Sequence, residues 1–448
     1  MKRIPDYSNC AKEIDLYAFY GPSDGKYMNG TPMGDGTDFR IKERYQEYKD
    51  CGFNVLLLEN EAPYRGEDWT KSKVKEIMDI AYKIGLRVIV YDERIFHLAI
   101  STPFGLYGKE YKGVFLANQE DVNALVAGYM KDYMQHPAYY GVYLMDEPNL
   151  ALIPNVFQIY KAIRVCKPTS FIHMCLMGGE ATSNIVQQLM DEYDVKDVCY
   201  DDYMWHYLET YENKRLNRMY LYTLERLSKF CAKTDRKFAS CTLQCFGGNF
   251  SSVYNGARGI GYDQQDKDKL RYQAYATMAF CPNKLIYFQY WASKYSNGNV
   301  DSSTIMNADG SKRLYEDVKE LNQEIHALGR VLVNFKFKGA HFYMKDRTPY
   351  YYILTANDFI PQGIHMEVEE NPVVLVSELY DKENDTTAYM LFNATEPKKN
   401  ETAKFAITFE GKEKAVVYNR GIPTTITLNN GKMEATMPSA EGVLVIPY

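Results

Sequence analysis

Ile84-Gly85-Leu86-Arg87-Val88-Ile89-Val90-Tyr91-Asp92-Glu93-Arg94 carries four signals in a row. It closes an amphipathic stretch, Thr70–Ile84, whose apolar residues recur at helical spacing. Gly85 then stands just past the helix, where a left-handed residue ends the last turn. Arg87–Tyr91 follows as a short run apolar on both faces, the mark of a strand buried in a parallel sheet. The run ends in Asp92-Glu93, acids at a strand tip. The same joint occurs earlier, at Cys51-Gly52-Phe53, where helix Asp38–Cys51 gives way to strand Asn54–Leu58.

Working outward, strand-like runs fall at Ile14–Tyr20, Asn54–Leu58, Arg87–Tyr91, Gly141–Met145, Phe171–Met177, Val198–Tyr200, Phe238–Leu243 and Leu285–Tyr290. Helical stretches separate them, among them Gln119–Tyr133, Asn155–Cys166, Ser183–Tyr193, Lys214–Thr234, Asp266–Phe280 and Leu314–Leu328. Eight strand–helix pairs point to an α/β fold of the closed (β/α)₈, or TIM, barrel type. The alternative is a doubly wound sheet, which usually stops at five or six strands. After Gly329 helical periodicity disappears. Short alternating strands take over, such as Ala388–Phe392, Phe405–Phe409 and Ala415–Tyr418, with Asn429-Asn430-Gly431 as a hairpin turn signal. The expected organisation is a catalytic barrel over residues 1–330 and an all-β sandwich domain over 331–448.

Composition narrows the function classes. The chain has 448 residues, 46% hydrophobic and 25% charged, an ordinary globular mix. A net charge of −6 gives no electrostatic footprint for nucleic acid. No apolar run approaches the roughly 20 residues of a membrane span. The N-terminus, Met1-Lys2-Arg3-Ile4-Pro5-Asp6, lacks an apolar h-region, so no signal peptide is expected in this chain. A periplasmic or extracellular location would follow if a leader had been removed, and a cytoplasmic one otherwise. Nine scattered cysteines read neither as a disulfide framework nor as a zinc site. The seven histidines form no pair at metal-ligand spacing, and no dinucleotide or phosphate-binding fingerprint occurs, so no metal and no cofactor is expected. Forty tyrosines are the oddity, and rings with a polar tip suit sugar surfaces.

The active site of such a barrel lies at the C-terminal strand ends. Those ends read Glu59-Asn60-Glu61, Asp92-Glu93-Arg94, Asp146-Glu147-Pro148-Asn149, Asp201-Asp202-Tyr203-Met204-Trp205-His206, Gln244, and Gln289-Tyr290-Trp291. Four acidic tips on one mouth suit glycoside hydrolysis, which needs one carboxyl protonated and one ionised. Clustering pushes their proton affinities apart. Long segments after strands 3 and 7, Ile95–Asn118 and Gly247–Gln265, suggest a walled pocket and exo-action on short glycans.

Tyr140-Gly141-Val142-Tyr143-Leu144-Met145-Asp146-Glu147-Pro148-Asn149 resembles the fourth strand of clan A glycoside hydrolases. Asp309-Gly310 followed by Tyr315 and Val318-Lys319-Glu320-Leu321-Asn322 is similar to the eighth-helix entry of β-galactosidase-like barrels. Ser439–Tyr448 is similar to the last hairpin of the β-domains that follow such barrels. The resemblance implies a hydrolase of O-glycosidic bonds in oligo- or polysaccharide, with Glu147 as general acid. It also implies a Trp at the end of strand 8, here Trp291, as a sugar platform. The departure is Gln244, which stands where clan A retaining enzymes carry a nucleophilic Glu. The second carboxylate is then expected from another strand, with Asp201, Asp202 and Glu93 as candidates and strand 6 foremost, though strand parity does not choose between Asp201 and Asp202. Inverting geometry, with carboxyls about 6.5–9.5 Å apart, would suit strands 4 and 6. Asp146, Glu59, Glu93 and Gln244 would bond sugar hydroxyls, and Tyr203, Trp205, Tyr290 and Trp291 would stack on rings. Gln244 equally supports a second reading, a catalytically inactive carbohydrate-binding protein. A weaker third, an isomerase or lyase of sugar acids, lacks the Lys, His or metal an enolate would need.

Overall fold

The computed structural model of the protein describes residues 6–7, 10–26, 31–32, 35–62, 69, 72–208, 219–249, 260–292, 303–344, 359–368, 373–395, 397 and 400–448. Eight parallel strands form the first domain: β1 (Asp15–Ala18), β2 (Val55–Leu58), β3 (Arg87–Tyr91), β4 (Tyr139–Asp146), β5 (Phe171–Met177), β6 (Asp197–Asp201), β7 (Lys237–Gln244) and β8 (Lys284–Phe288). They run in the order β1-β8-β7-β6-β5-β4-β3-β2. This is the expected barrel and not a doubly wound sheet.

Between β1 and β2, which share no ladder, the ring is bridged by backbone and side-chain hydrogen bonds. At the base Asn54 Oδ1 accepts from the Leu16 N–H at 2.9 Å, and Asn54 N–H donates to the Leu16 carbonyl at 3.2 Å. At the top Glu59 Oε2 accepts from the Tyr20 N–H at 2.8 Å.

Period-2 alternation decides what fills the barrel. Tyr17 and Phe19 of β1 and its end, Val55 and Leu57 of β2, and Cys175 and Cys199 of β5 and β6 all point inward and are buried. The alternate residues, such as Leu56, Leu58, Val88 and Val90, pack outward under the helices. Each strand is buried on both faces, which is why the runs read as continuously apolar. At about 1.5–3 kcal/mol per fully buried large aliphatic side chain, these two layers dominate the favourable side of folding.

The segment after β3 is not an open loop. Asp92 caps helix Glu93–Ile100 by accepting from the Arg94 N–H, and a hairpin Lys109–Tyr111/Val114–Leu116 follows. After β7, Gly248–Asn249 pairs with Ile260–Tyr262, which pairs with His206–Leu208, in a small antiparallel sheet over the mouth. Residues 250–259 lie outside the described ones.

Helix Tyr315–Leu332 carries the chain slightly past the expected boundary at 330 before the β-domain starts at Lys336. A six-stranded and a three-stranded antiparallel sheet pack face to face. Val374, Val376, Leu391 and Val445 fill the space between them, while Leu375, Phe392 and Leu444 face the barrel helices. Tyr272 Oη reaches across to the Ala394 carbonyl at 2.8 Å. The turn at Asn429-Asn430-Gly431 has the positive φ values its residues favour, 53° and 77° at Asn430 and Gly431, and one bridge, Asn429 to Lys432. It does not make the expected hairpin. Ile422–Thr427 pairs with Lys414–Asn419 in one sheet, and Lys432–Met437 with Ala403–Phe409 in the other. Turn chemistry fixes the reversal but not the sheet each arm joins.

Candidate active site

The inward parity of β6 runs Asp197, Cys199, Asp201, so Asp201 rather than Asp202 faces the barrel lumen. Two steps round the ring, β4 ends in Asp146, the register partner of Cys175 on β5. Glu147 then leaves the strand with φ 42° while its N–H donates to the Cys175 carbonyl at 2.7 Å. That left-handed conformation costs a residue with a Cβ roughly 1–3 kcal/mol. It leaves the Glu147 side chain exposed beside β6, close enough to the Asp201 carboxyl to raise it. Two carboxyls that close favour sharing one proton.

The environment keeps that proton in place. Enclosure by the mouth, then Cys175, Glu147 and Asp146, push the Asp201 carboxyl well above the usual carboxylate range. Asp146 is open to solvent but walled by protein, and that enclosure, with Cys175, Glu147 and Glu59, lifts it likewise. Glu59 rises to about 8 through burial, against the opposing Tyr20 N–H bond. Buried Glu61 rises to about 7 for the same first reason, although Tyr45 Oη donates to it at 2.5 Å. Among the described residues no Lys or Arg forms an ion pair with Glu59, Asp146, Glu147 or Asp201.

A further carboxyl belongs to this group. Glu180, on the short helix Gly178–Ala181 after β5, is raised by burial and by Glu147, and its Oε2 is buried without a hydrogen-bond partner. It is absent from the expected site residues, and the signal for it in the sequence is an acid directly after Gly178-Gly179 at the tip of β5.

Thus Glu59, Asp146, Glu147 and Asp201 come together, and several other expected site residues do not. Gln244 is wholly buried: its Oε1 accepts from the Trp205 N–H at 3.1 Å, and Nε2 donates to the Trp205 and Phe246 carbonyls at 3.3 and 3.2 Å. The amide is a brace between the β6 and β7 ends and presents nothing to a sugar. Trp291 is 1% exposed, packed against Phe39 at 4.8 Å between centroids, with the Arg44 guanidinium at 5.8 Å. Tyr290 packs outward against Tyr48 and Phe53, and Trp205 against Tyr272. These three rings are core, not platforms, because alternation at strand ends sends half the side chains under the helices. Glu93 is 6% exposed and its Oε1 lies 3.1 Å from His97 Nε2. Arg94 is held by Asp92. Half-buried Tyr203, edge-on to Phe246 and Tyr262, and Asp202 remain at the mouth. The His206 side chain lies outside the described residues.

A separate open cavity of about 670 Å³ lies on the sandwich domain between Asp385, Tyr389, Phe409, Lys412 and Tyr448.

No protein-family model matches the chain, and no curated protein does. Solved structures do share its fold. The GH27 β-L-arabinopyranosidase of Geobacillus stearothermophilus superposes with a TM-score of 0.51 at 12% identity, over 98% of this chain and 97% of that one. An Anoxybacillus α-amylase gives 0.51 at 10% identity, over 99% of each chain. A β-galactosidase from Rahnella sp. R3 gives 0.50 at 11% identity over 75% of this chain, which spans 59% of that enzyme. These neighbours are glycoside hydrolases, and what this chain shares with them is the (β/α)₈ barrel followed by antiparallel sheets.

Proposed function

We propose that the protein hydrolyses O-glycosidic bonds of oligo- or polysaccharide, with Glu147 as general acid and Asp201 as the group that holds its proton. The reading is carried by the convergence of Glu147 and Asp201 at the barrel mouth, where Glu147 is among the groups that raise Asp201 and no Lys or Arg among the described residues pairs with either. Asp201 sits deeper, where its surroundings favour the protonated form; Glu147, exposed and held forward by its left-handed backbone, passes the proton to the glycosidic oxygen. The bond from the anomeric carbon to that oxygen breaks and water adds to the carbon. The water's proton returns to the pair, which ends with one proton as it began. Asp146, Glu59 and Tyr203 border this point and would bind sugar hydroxyls. Glu59 does so with the oxygen not already engaged by Tyr20.

The test is turnover of natural oligosaccharides by the wild type beside Glu147→Gln. Aryl glycosides, whose leaving groups need little acid help, serve as the contrast. Loss of a general acid removes about 10²–10⁴-fold of rate. Turnover unchanged by the substitution would overturn the role of Glu147.

One observation favours a second reading, a carbohydrate-binding protein without turnover. The end of β7 offers only Gln244, whose amide is fully engaged by main chain. No hydrolysis of any substrate, together with sugar-induced thermal stabilisation, would select it.

A further inference from the structure

Beneath the carboxyls, inside the barrel, β5 and β6 bring together three donors, two from β5 and one from β6. His173 and Cys175 are two residues apart on β5 and share its inward face. Cys199 is the direct register partner of Cys175 on β6. Cys175 Sγ and Cys199 Sγ are 3.8 Å apart, and Cys199 Sγ is 3.7 Å from His173 Nδ1. The three donor atoms all lie within 4.8 Å of one another, and each residue is 0% exposed.

These lengths have a specific meaning. Zinc–sulfur bonds of about 2.3 Å and zinc–nitrogen bonds of about 2.0–2.1 Å give a tetrahedron whose S···S edge is about 3.8 Å and whose S···N edge is about 3.6 Å. Two of the three edges stand at those lengths. We propose that His173, Cys175 and Cys199 form a zinc site in the barrel floor, directly under the mouth. Two thiolates and an imidazole are a soft donor set that selects Zn²⁺ over Mg²⁺ or Ca²⁺.

Nδ1, the ring nitrogen nearest Cys199 Sγ, is the atom that would bind, and the ring proton then sits on Nε2. Tyr17 Oη, 2.7 Å from Nδ1, is the adjacent polar group that can orient the ring or approach the ion. The fourth position falls to Tyr17 Oη or to water. Binding displaces the two thiol protons to solvent, so zinc uptake is accompanied by release of two protons and weakens as pH falls.

The test uses the full chain without a histidine tag, reduced, stripped with chelator, and titrated with Co²⁺ and then Zn²⁺. The expected result is a thiolate-to-cobalt charge-transfer band with tetrahedral visible bands, saturating at one equivalent and abolished one-for-one by Zn²⁺. Cys175→Ser and Cys199→Ser should each lose the band or weaken affinity at least tenfold. Cys231→Ser, a buried thiol on helix Met219–Thr234, should keep it. A folded wild type that shows no charge-transfer band in excess Co²⁺ overturns the site, as does a band that survives Cys199→Ser. So does a Cys175–Cys199 disulfide in the protein as isolated, seen by mass as the loss of two hydrogens. If the serine variants fail to fold, the wild-type titration decides alone. Neither arm uses hydrolysis, so the metal site and the glycosidase reading stand or fall separately.

Discussion

The two ends of the same barrel treat carboxylates in opposite ways. At the N-terminal end Asp15 is 5% exposed and fully paired. Lys284 Nζ touches it, Arg87 Nη2 lies 2.6 Å away and Tyr140 Oη 2.5 Å. Burial there opposes ionisation, but Lys284 and Arg87 outweigh it and hold the carboxyl at about 2. At the C-terminal end Glu59, Asp146 and Asp201 have no such cations among the described residues, and all three are pushed up. A fold selected only for stability would treat both ends as it treats the first. The difference assigns the base of the barrel to holding the ring together and the mouth to holding protons.

The largest expected effect separates the ends by activity. Glu147→Gln should lower hydrolysis of natural oligosaccharides about 10²–10⁴-fold, while the urea midpoint stays within the range of an ordinary surface change. Asp15→Asn should do the reverse. It leaves Lys284 buried and uncompensated, at a cost of about 3–5 kcal/mol, read as a fall in denaturation midpoint, with the remaining folded protein still active. If both substitutions cost stability alike, the division of labour fails.

Most of the barrel was legible because eight apolar runs and glycine-ended helices are local signals. Glu147 and the β4 tip were legible for the same reason. What sequence could not give is set by parity and register. Asp201 and Asp202 separate only when β6 is seen to extend from Asp197 to Asp201, and the runs of mixed apolar residues hid that phase. Gln244, Tyr290 and Trp291 sit at strand ends as expected, yet which face each takes depends on the neighbouring strand. The Cys175–Cys199 pairing is a register fact, invisible in a chain read one strand at a time. Asn429-Asn430-Gly431 makes the same point: local chemistry predicted the turn and nonlocal pairing decided the topology.

The two ends should also respond to pH with opposite signs. Glu59 has a folded value near 8 against an ordinary 4.5, so between these limits the folded state binds more protons than the unfolded one. Its contribution to stability therefore falls as pH rises from about 4.5 to about 8. Asp15, held near 2 against 3.8, contributes fully above 3.8 and loses that contribution as pH falls through this window. Urea unfolding across the range should show a descending alkaline limb that flattens in Glu59→Gln, and an acid limb that does not. An alkaline limb unchanged in Glu59→Gln would remove this carboxyl from the comparison.

Gln244→Glu gives a smaller, sharper test. If this position were merely a lost nucleophile, the acid would restore or raise turnover. The geometry predicts otherwise: the new carboxylate would face the Trp205 and Phe246 carbonyls where Nε2 now donates. Losing those donors in a buried site should cost about 1–3 kcal/mol of stability, with no gain in hydrolysis.

The smallest effect has the unusual sign. Glu147 is held at φ 42°, a conformation glycine adopts without a Cβ penalty. Glu147→Gly should therefore raise stability by about 0.5–1 kcal/mol, since relief of strain is partly offset by the greater freedom of glycine in the unfolded chain. It should do so while hydrolysis is lost, because the carboxyl is gone. Glu147→Ala should lose hydrolysis equally and gain less, since alanine keeps the Cβ that the left-handed backbone disfavours. A glycine variant no more stable than the alanine one would show that the backbone at the β4 tip is unstrained. The forward placement of Glu147 would then be an ordinary turn and not strain retained where the chemistry needs it.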